Sequence, residues 1–489
     1  ARVSRGRGLV LLPWFKAGWT RLVSLPPPQE VPCHLPSPLL RPMRALWSRR
    51  GPRRPLSLLV LLRICHQSTG WQPPSRASSS GFRATSARWA SAGAPGEAFE
   101  ASVHRLVKAG DLEGLVGLSA ESAGDLPALE WARILEGATG GFAARREASS
   151  ALNAVLGGLV LQAGHDGAVA QAVALLEWME DDGTPIAPDV VSYSCVASAA
   201  YRSGDAALGD LVTRRAAERA DTVPRKERVR SRRPPAHASL DVAFEDGHLL
   251  AINKDSGVET HRNKGTPVKA PIVSELASAH CQGKLSSLGS APGVVHRLDK
   301  GTSGLLVLAK TNRAHADLVA GFYLRRHRKA YKALVHGIPT TDTAAAETGG
   351  PMEVSLALDG LPAKSVVRVD ETFPSAGCSL VTVRTLTGRK HQVRRHLASL
   401  GCPLVFEPIY DKTPKRRAAR PVPRALQALA PRDKTSFFFL HSAQLYLDLD
   451  QHLMEPGSGG SSSNSGGHDF LELEAPLPDS WEKALAELR

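Results

Sequence analysis

Cysteine is scarce in this chain and scattered. The six residues, at 33, 65, 195, 281, 378 and 402, make no Cys-x-x-Cys pair and no Cys/His cluster. That spacing offers no zinc site and no disulfide framework, so packed thiols in a reducing compartment are expected. Gly-rich phosphate loops and metal-ligand spacings are missing too, and neither a cofactor nor a metal is expected. Leu56-Ser-Leu-Leu-Val-Leu-Leu62 is too short to cross a bilayer, so no membrane insertion of the mature protein is expected.

Acidic residues are nearly absent from one stretch. Residues 1–96 carry fourteen Arg and one Lys against Glu30 alone, which is the whole of the net +14; the other 46 bases are matched by 46 acids. The basic pI near 9.7 therefore says nothing about the folded body, and any affinity for a polyanion must come from local patches such as Arg325-Arg-His-Arg-Lys329. An Arg- and Ser-rich, acid-poor N-terminus reads as an organelle-targeting leader, with mitochondrion or plastid expected over cytoplasm. The apolar run after Arg49, Arg50, Arg53 and Arg54 would suit a two-part leader. Because the chain opens on Ala1, residues 1–42 are expected to be untranslated if synthesis starts at Met43.

At 489 residues, two or three domains are expected. Residues 97–220 read as Ala-rich helices separated by glycines. Ala151-Leu-Asn-Ala-Val-Leu and Val191-Ser-Tyr-Ser-Cys-Val196 occupy equivalent places about 41 residues apart, and the interval resembles a pentatricopeptide repeat. That resemblance implies stacked two-helix units that read RNA bases singly, with Asn153 and Asp189 as the base-reading pair and uridine as the base. The unit is longer than the usual repeat, and a generic helical hairpin is the alternative. Residues 221–237 read as a basic, Pro-rich linker. A catalytic domain is expected over 238–489, with surface excursions at Lys412–Lys434 and Gly457–Gly467.

Two segments carry chemistry. In Gly293-Val-Val-His-Arg-Leu-Asp-Lys-Gly-Thr-Ser-Gly-Leu-Leu-Val-Leu-Ala-Lys310, a hairpin is expected: Val294–Val295 enters, Lys300–Gly304 turns and Leu305–Leu308 leaves. Asp299 would stand at a strand end, facing a cleft or merely paired with Arg297 or Lys300. In Thr387-Gly-Arg-Lys-His-Gln-Val-Arg-Arg-His-Leu-Ala-Ser-Leu-Gly401 a helix begins amid Arg389, Lys390, His391, Arg394, Arg395 and His396. So much like charge needs anions beside it, whether solvent-screened partners, a buried carboxylate or phosphates.

Together these segments resemble the RluA-type family of pseudouridine synthases, in His296–Asp299 with Thr302–Gly304, Lys329–Gly337 and Gly388–Arg394. Asp246–Lys254, Leu440–Leu445 and Ala475–Pro478 extend the match, which covers roughly half the chain. The resemblance implies an α/β (α+β) catalytic domain with a mixed, mostly antiparallel sheet and a central cleft. It also implies isomerisation of uridine in RNA with no cofactor; with the leader, organellar rRNA or tRNA is the expected substrate, mRNA the further alternative, and a monomer is expected. By the same resemblance Asp299 is the essential acid, acting at C1′, at C6 or on a ribose proton. Arg394 pairs with it, bidentately, with Arg389 the runner-up; Tyr331 is the third catalytic residue, its face against the target ring and its hydroxyl available for proton transfer, and Leu440 floors the ring. Arg297 enters the space an extruded base leaves, and His296 and Lys254 join the RNA contacts. Three departures stand out: Asp255-Ser-Gly for Pro-Ala-Gly, Phe406-Glu407 for Gly-Asp, and helices in place of an S4-like module. Phe406 would crowd the cleft rim. The rival reading is a non-catalytic RNA-binding factor for organellar ribosome assembly or transcript processing.

Overall fold

The computed structural model describes residues 95–489 apart from 123–125, 140–144, 163–166, 182, 185, 223–239, 263–265, 267–269, 290, 341–349, 412–423, 430–436 and 454–469. All but the end of the expected leader, most of the expected linker, the tract Gly457–Gly467 and Lys412–Lys434 apart from 424–429 lie outside these residues.

The first half of the described chain is a layer of helices: α1 (Pro95–Ala109), α2 (Leu112–Glu121), α3 (Ala128–Ala138), α4 (Arg145–Leu161), α5 (Ala168–Glu180), α6 (Val190–Arg202) and α7 (Ala206–Thr222). Local chemistry starts them. Asp111 caps α2 by accepting from Gly114 N, and Asp189 with Ser192 makes a reciprocal capping box on α6. Their apolar stripes close on Trp131, Leu152, Leu156, Leu175, Met179 and Val196, all fully buried.

The second half is one nine-stranded sheet with helices on it. The strands are β1 (Val242–Glu245), β2 (Leu249–Lys254), β3 (Ser303–Ala309), β4 (Arg328–His336), β5 (Met352–Ser355), β6 (Lys364–Phe373), β7 (Cys378–Thr385), β8 (Leu440–Asp448) and β9 (Phe470–Glu474). Their order is β1-β2-β3-β8-β4-β7-β6-β5, with β9 also on β8. Every pairing is antiparallel except β3 with β8. This is the mixed, mostly antiparallel sheet expected. Its longer helices are α8 (Val273–His280), α9 (Asn312–Tyr323), α10 (Gln392–Ser399) and α11 (Asp479–Leu488), with a single turn at Arg424–Gln427.

The expected hairpin at 294–308 does not form. β3 gives its long edge to β2, from Leu249↔Ala309 to Lys254↔Gly304. Residues 293–296 only patch the other edge: Val294 bridges Leu308, and the His296 ring accepts the Val307 N–H. Because β3 is buried on both faces, every residue from Ser303 to Ala309 is covered, which explains its unbroken apolar run.

β3 and β8 touch at two residues only, Ser303↔His441 and Gly304↔Ser442. Gly304 sits at φ +102°, where a Cβ would lie 2.3 Å from the Ser442 carbonyl oxygen, so no other residue allows this approach. The seam brings the loop before β3 alongside the first residue of β8 and the middle of β4. Asp299, Leu440 and Tyr331 converge there.

The helical layer and the sheet share a core. Leu288, Ala316 and Ala320 pack into the helical cluster, with Tyr323 and Leu324 against it. Across this contact Asp317 of α9 accepts from Ser198 and Arg202 of α6.

Candidate active site

Asp299 stands on the turn leading into β3; its carbonyl accepts the Thr302 N–H at 3.0 Å. Its carboxylate touches two side chains from the start of α10. Arg394 Nη1 donates to Oδ2 at 3.3 Å, and His391 Nε2 lies 3.6 Å from Oδ1. The crowded cations of the helix thus have a carboxylate at their centre.

Arg394 is not Asp299's alone. Its Nε and Nη2 donate to Glu407 at 3.0 and 2.7 Å, so the bidentate partner expected to be Asp299 is Glu407. The reason is placement: Glu407 is fully buried on the turn after α10, whereas Asp299 approaches from the open side. Arg394 also lies over the Phe438 ring, 4.3 Å from its centroid. Burial alone would lower its pKa, but Glu407 and then Asp299 outweigh that and raise it. The guanidinium is a fixed cation presented to the carboxylate.

Two adjoining hollows, about 220 and 90 Å³, share Arg297, Leu298, Asp299, His391 and Arg394. Tyr331, Leu440 and Lys329 line the smaller one; His261, Lys300, Ile409 and Phe438 line the larger. Burial, reinforced by the Asp299 charge, pushes the Tyr331 hydroxyl well above its ordinary range. Arg297 is exposed where the hollows meet. Among the described residues no group of three or more His, Cys, Asp or Glu is arranged to hold a metal.

Several expected contacts fall elsewhere. His296 turns inward: its Nε2 accepts from Val307 N at 3.0 Å and its ring lies 4.7 Å from Phe322, with burial driving its pKa well down. Lys254, 2% exposed, spends its ammonium on the carbonyls of Asp255, Val258 and Lys300, so it fastens the Asp299 loop to β2 and offers nothing to a phosphate. Burial pulls its pKa down to about 7. Arg389 lines the smaller hollow, but its Nε donates to the Pro362 carbonyl; the residue that meets Asp299 is Arg394. Phe406 does not crowd the rim. Held at φ +66°, it packs against Phe437 and Phe439 on the inner side.

Asn153 and Asp189 are brought together, but to each other. Asn153 Nδ2 donates to both Asp189 oxygens at 3.1 and 3.2 Å, and its Oδ1 accepts from Ser192 at 2.6 Å. Asp189 also caps α6, and Asn153 is 4% exposed. Asp189 itself stays exposed, so the pair expected to read a base meets in the free chain as one hydrogen-bonded unit at the surface.

Three residues went unread as parts of the site. Glu407 was legible only as a departure from the family pattern. His391 was one cation among six. Tyr410, whose hydroxyl lies 2.8 Å from His391 Nδ1, gave no signal.

A family model described as RNA pseudouridylate synthase matches residues 248–399. The ribosomal large subunit pseudouridine synthase D of Zymomonas mobilis is 37% identical over 218 residues, 43% of this chain and 65% of that protein. The chloroplastic RNA pseudouridine synthase 2 of Oryza sativa subsp. japonica is 28% identical over 310 residues, 53% of this chain and 66% of that protein. The chain thus spans just under two thirds of the length of these two relatives. The uncharacterised RNA pseudouridine synthase YlyB of Bacillus subtilis is 31% identical over 278 residues, 55% of this chain and 78% of that protein. With the matched segment running from β2 through α10, and so carrying Asp299, Tyr331 and Arg394, this chain belongs to the RluA-type family of RNA pseudouridine synthases.

Proposed function

We propose that this protein isomerises particular uridines in RNA to pseudouridine, acting as a monomer, with Asp299 as the essential acid. The observation that carries the reading is Asp299, the one carboxylate among the described residues that lines both hollows, touched by a guanidinium that Glu407 holds rigid. The fixed guanidinium holds the carboxylate facing the hollows, available to the sugar or the ring. The smaller hollow, between Tyr331 and Leu440, suits a flat pyrimidine stacked on the tyrosine face. A paired uridine must first leave its stack, and exposed Arg297 is positioned to occupy the space behind it.

The substrate we favour is organellar ribosomal RNA, with transfer RNA second. The printed names of the Zymomonas and rice relatives, one ribosomal and one chloroplastic, support this, as does the basic leader. The helical layer serves as a scaffold for the catalytic half in this reading. The test is turnover on uridine-containing organellar RNA: wild type should form pseudouridine and Asp299→Ala should form none. Equal yields from the two would end the proposal.

A further inference from the structure

Moving a glycosidic bond from N1 to C5 leaves one proton in the wrong place. Once C1′ is bonded to C5, that carbon still carries its hydrogen. The C5–H bond must break, its electron pair forming C5=C6, while the C6=N1 pair moves onto N1, which takes up a proton. Some group beside Asp299 has to accept the first proton and give back the second.

Most neighbours are unsuited. Arg394 is permanently charged, and both Glu407 oxygens are engaged by Arg394, Ile409 N and Tyr410 N. The Lys254 ammonium is turned to three carbonyls, and Lys329 Nζ sits over the Phe322 ring at 4.3 Å. Tyr331 holds its proton tightly. His261 borders only the larger hollow.

His391 differs from all of these. It lines both hollows, and its Nε2 is 3.6 Å from Asp299 Oδ1, too far for a hydrogen bond, so that nitrogen is uncommitted. The far nitrogen, Nδ1, is held by Tyr410 Oη at 2.8 Å. The backbone carries the ring at φ +54°, a conformation histidine adopts rarely and one that aims the side chain across the mouth of α10.

We propose that His391 is the catalytic base that accepts the C5 proton on Nε2 and returns it to N1. This rests on the isomerase reading above. In the tautomer that donates Nδ1–H to Tyr410, Nε2 keeps its lone pair. The imidazolium forms beside the Asp299 carboxylate, so the new cation stands next to an anion. The groups facing the ring are Asp299, Lys390, Arg394, Glu407 and Tyr410. Burial lowers its pKa; the Asp299 charge opposes this, Arg394 and Lys390 add to it, and Glu407 opposes it weakly. The ring is therefore neutral, and able to accept, at physiological pH.

The experiment follows tritium release, in single turnover, from organellar large-subunit rRNA transcribed with uridine tritiated at C5, using the full chain. His391→Gly tolerates the left-handed backbone and leaves room for added imidazole; His391→Asn tolerates it without a titrating group. Release from His391→Gly should slow by roughly 10²- to 10⁴-fold with RNA affinity unchanged, and imidazole should restore part of it. The acidic limb of the wild-type pH profile should vanish in His391→Asn. Wild-type rate and limb in His391→Asn would overturn the base, as would His391→Gly that binds RNA normally yet ignores imidazole. A wild-type chain that releases no tritium overturns the isomerase reading itself, and this step with it.

Discussion

Replacing Asp317 by Ala should unfasten the helical layer from the sheet. This α9 carboxylate is 1% exposed and accepts from Ser198 Oγ at 2.7 Å, Arg202 Nε and Nη2 at 2.8 and 3.1 Å, Arg326 Nη2 at 3.2 Å and Asp450 N at 2.9 Å. Alanine leaves Arg202 and Arg326 with Asp448 as their remaining carboxylate, at 3.2 and 3.7 Å. Each hydrogen bond to a charged group is worth about 1.5–3 kcal/mol, but five of them on one group do not add. The appropriate scale is a broken buried ion pair, about 3–5 kcal/mol, a large part of the ~5–15 kcal/mol that holds a domain folded.

The assay is urea unfolding followed by tryptophan fluorescence and by circular dichroism. Of the eight tryptophans, Trp131 lies in the helical layer and Trp481 on α11, and variants that keep only one or the other report on the two halves separately. Wild type should unfold in one transition; Asp317→Ala should lower the midpoint and separate the two reporters. The pH dependence has a definite sign. Burial would raise the Asp317 pKa, but Arg326, Arg202 and Ser198 outweigh it and hold the carboxyl well below its ordinary range. A depressed carboxylate contributes its stability above the unfolded pKa, about 3.9, and loses it as pH falls through the native value. Acidification below about pH 4 should therefore cost wild type more than Asp317→Asn. A loss under about 1 kcal/mol on Asp317→Ala, with coincident reporters, would refute the reasoning.

Glu407→Ala strands a buried guanidinium, so it should lose about 3–5 kcal/mol in urea and lower kcat more than it raises KM for RNA. Asn153→Ala should cost about 1–3 kcal/mol by leaving buried hydrogen bonds unmade, yet pseudouridine mapping should find the same uridine modified. Phe406→Gly relieves about 1–2 kcal/mol of left-handed strain. It also forfeits a ring packed on Phe439, a loss up to about 3–5 kcal/mol, so thermal melting should show net destabilisation. Filter binding across a KCl series should give a shallow slope. If the cleft-lining Arg297, Lys300 and Arg389 and the exposed Lys390 meet phosphates, log K falls with log salt at about −3.

What the sequence made legible was local. The His296–Asp299 and Gly388–Arg394 strings stay contiguous in the fold, and the acid and the guanidinium meet as the family pattern implies. The hairpin failed because the longer partner of β3 is β2, some fifty residues upstream, and hydrophobic alternation carries no information about which strand comes alongside. His296 and Lys254 were assigned to RNA by residue type, but type does not tell which way a side chain faces. Both turn inward to satisfy backbone groups that the two-residue seam between β3 and β8 leaves open or that the Asp299 turn exposes. For Asn153 and Asp189 the spacing did bring the pair together; what it hid was that the two groups satisfy each other.

The same distinction decides where RNA can be gripped. Over residues 97–489 the charges balance, so any attraction for phosphate depends on which cations remain uncommitted. Arg202, Arg313 and Arg326 are spent on Asp317, Asp448 and Asp450 at the junction of the two halves; Arg394 is spent on Glu407 and Asp299. The Arg325–Lys329 string, the most basic run of the folded body, is largely used up in the same way: Arg325 pairs with Glu113 of α2, Arg326 with Asp317, and Lys329 lies on Phe322. Cations drawn inward at the junction join the helical layer to the catalytic half; those around Asp299, Arg297 foremost, face the open hollows. In the proposed reaction a uridine therefore meets a few groups fixed in place at the seam of the sheet.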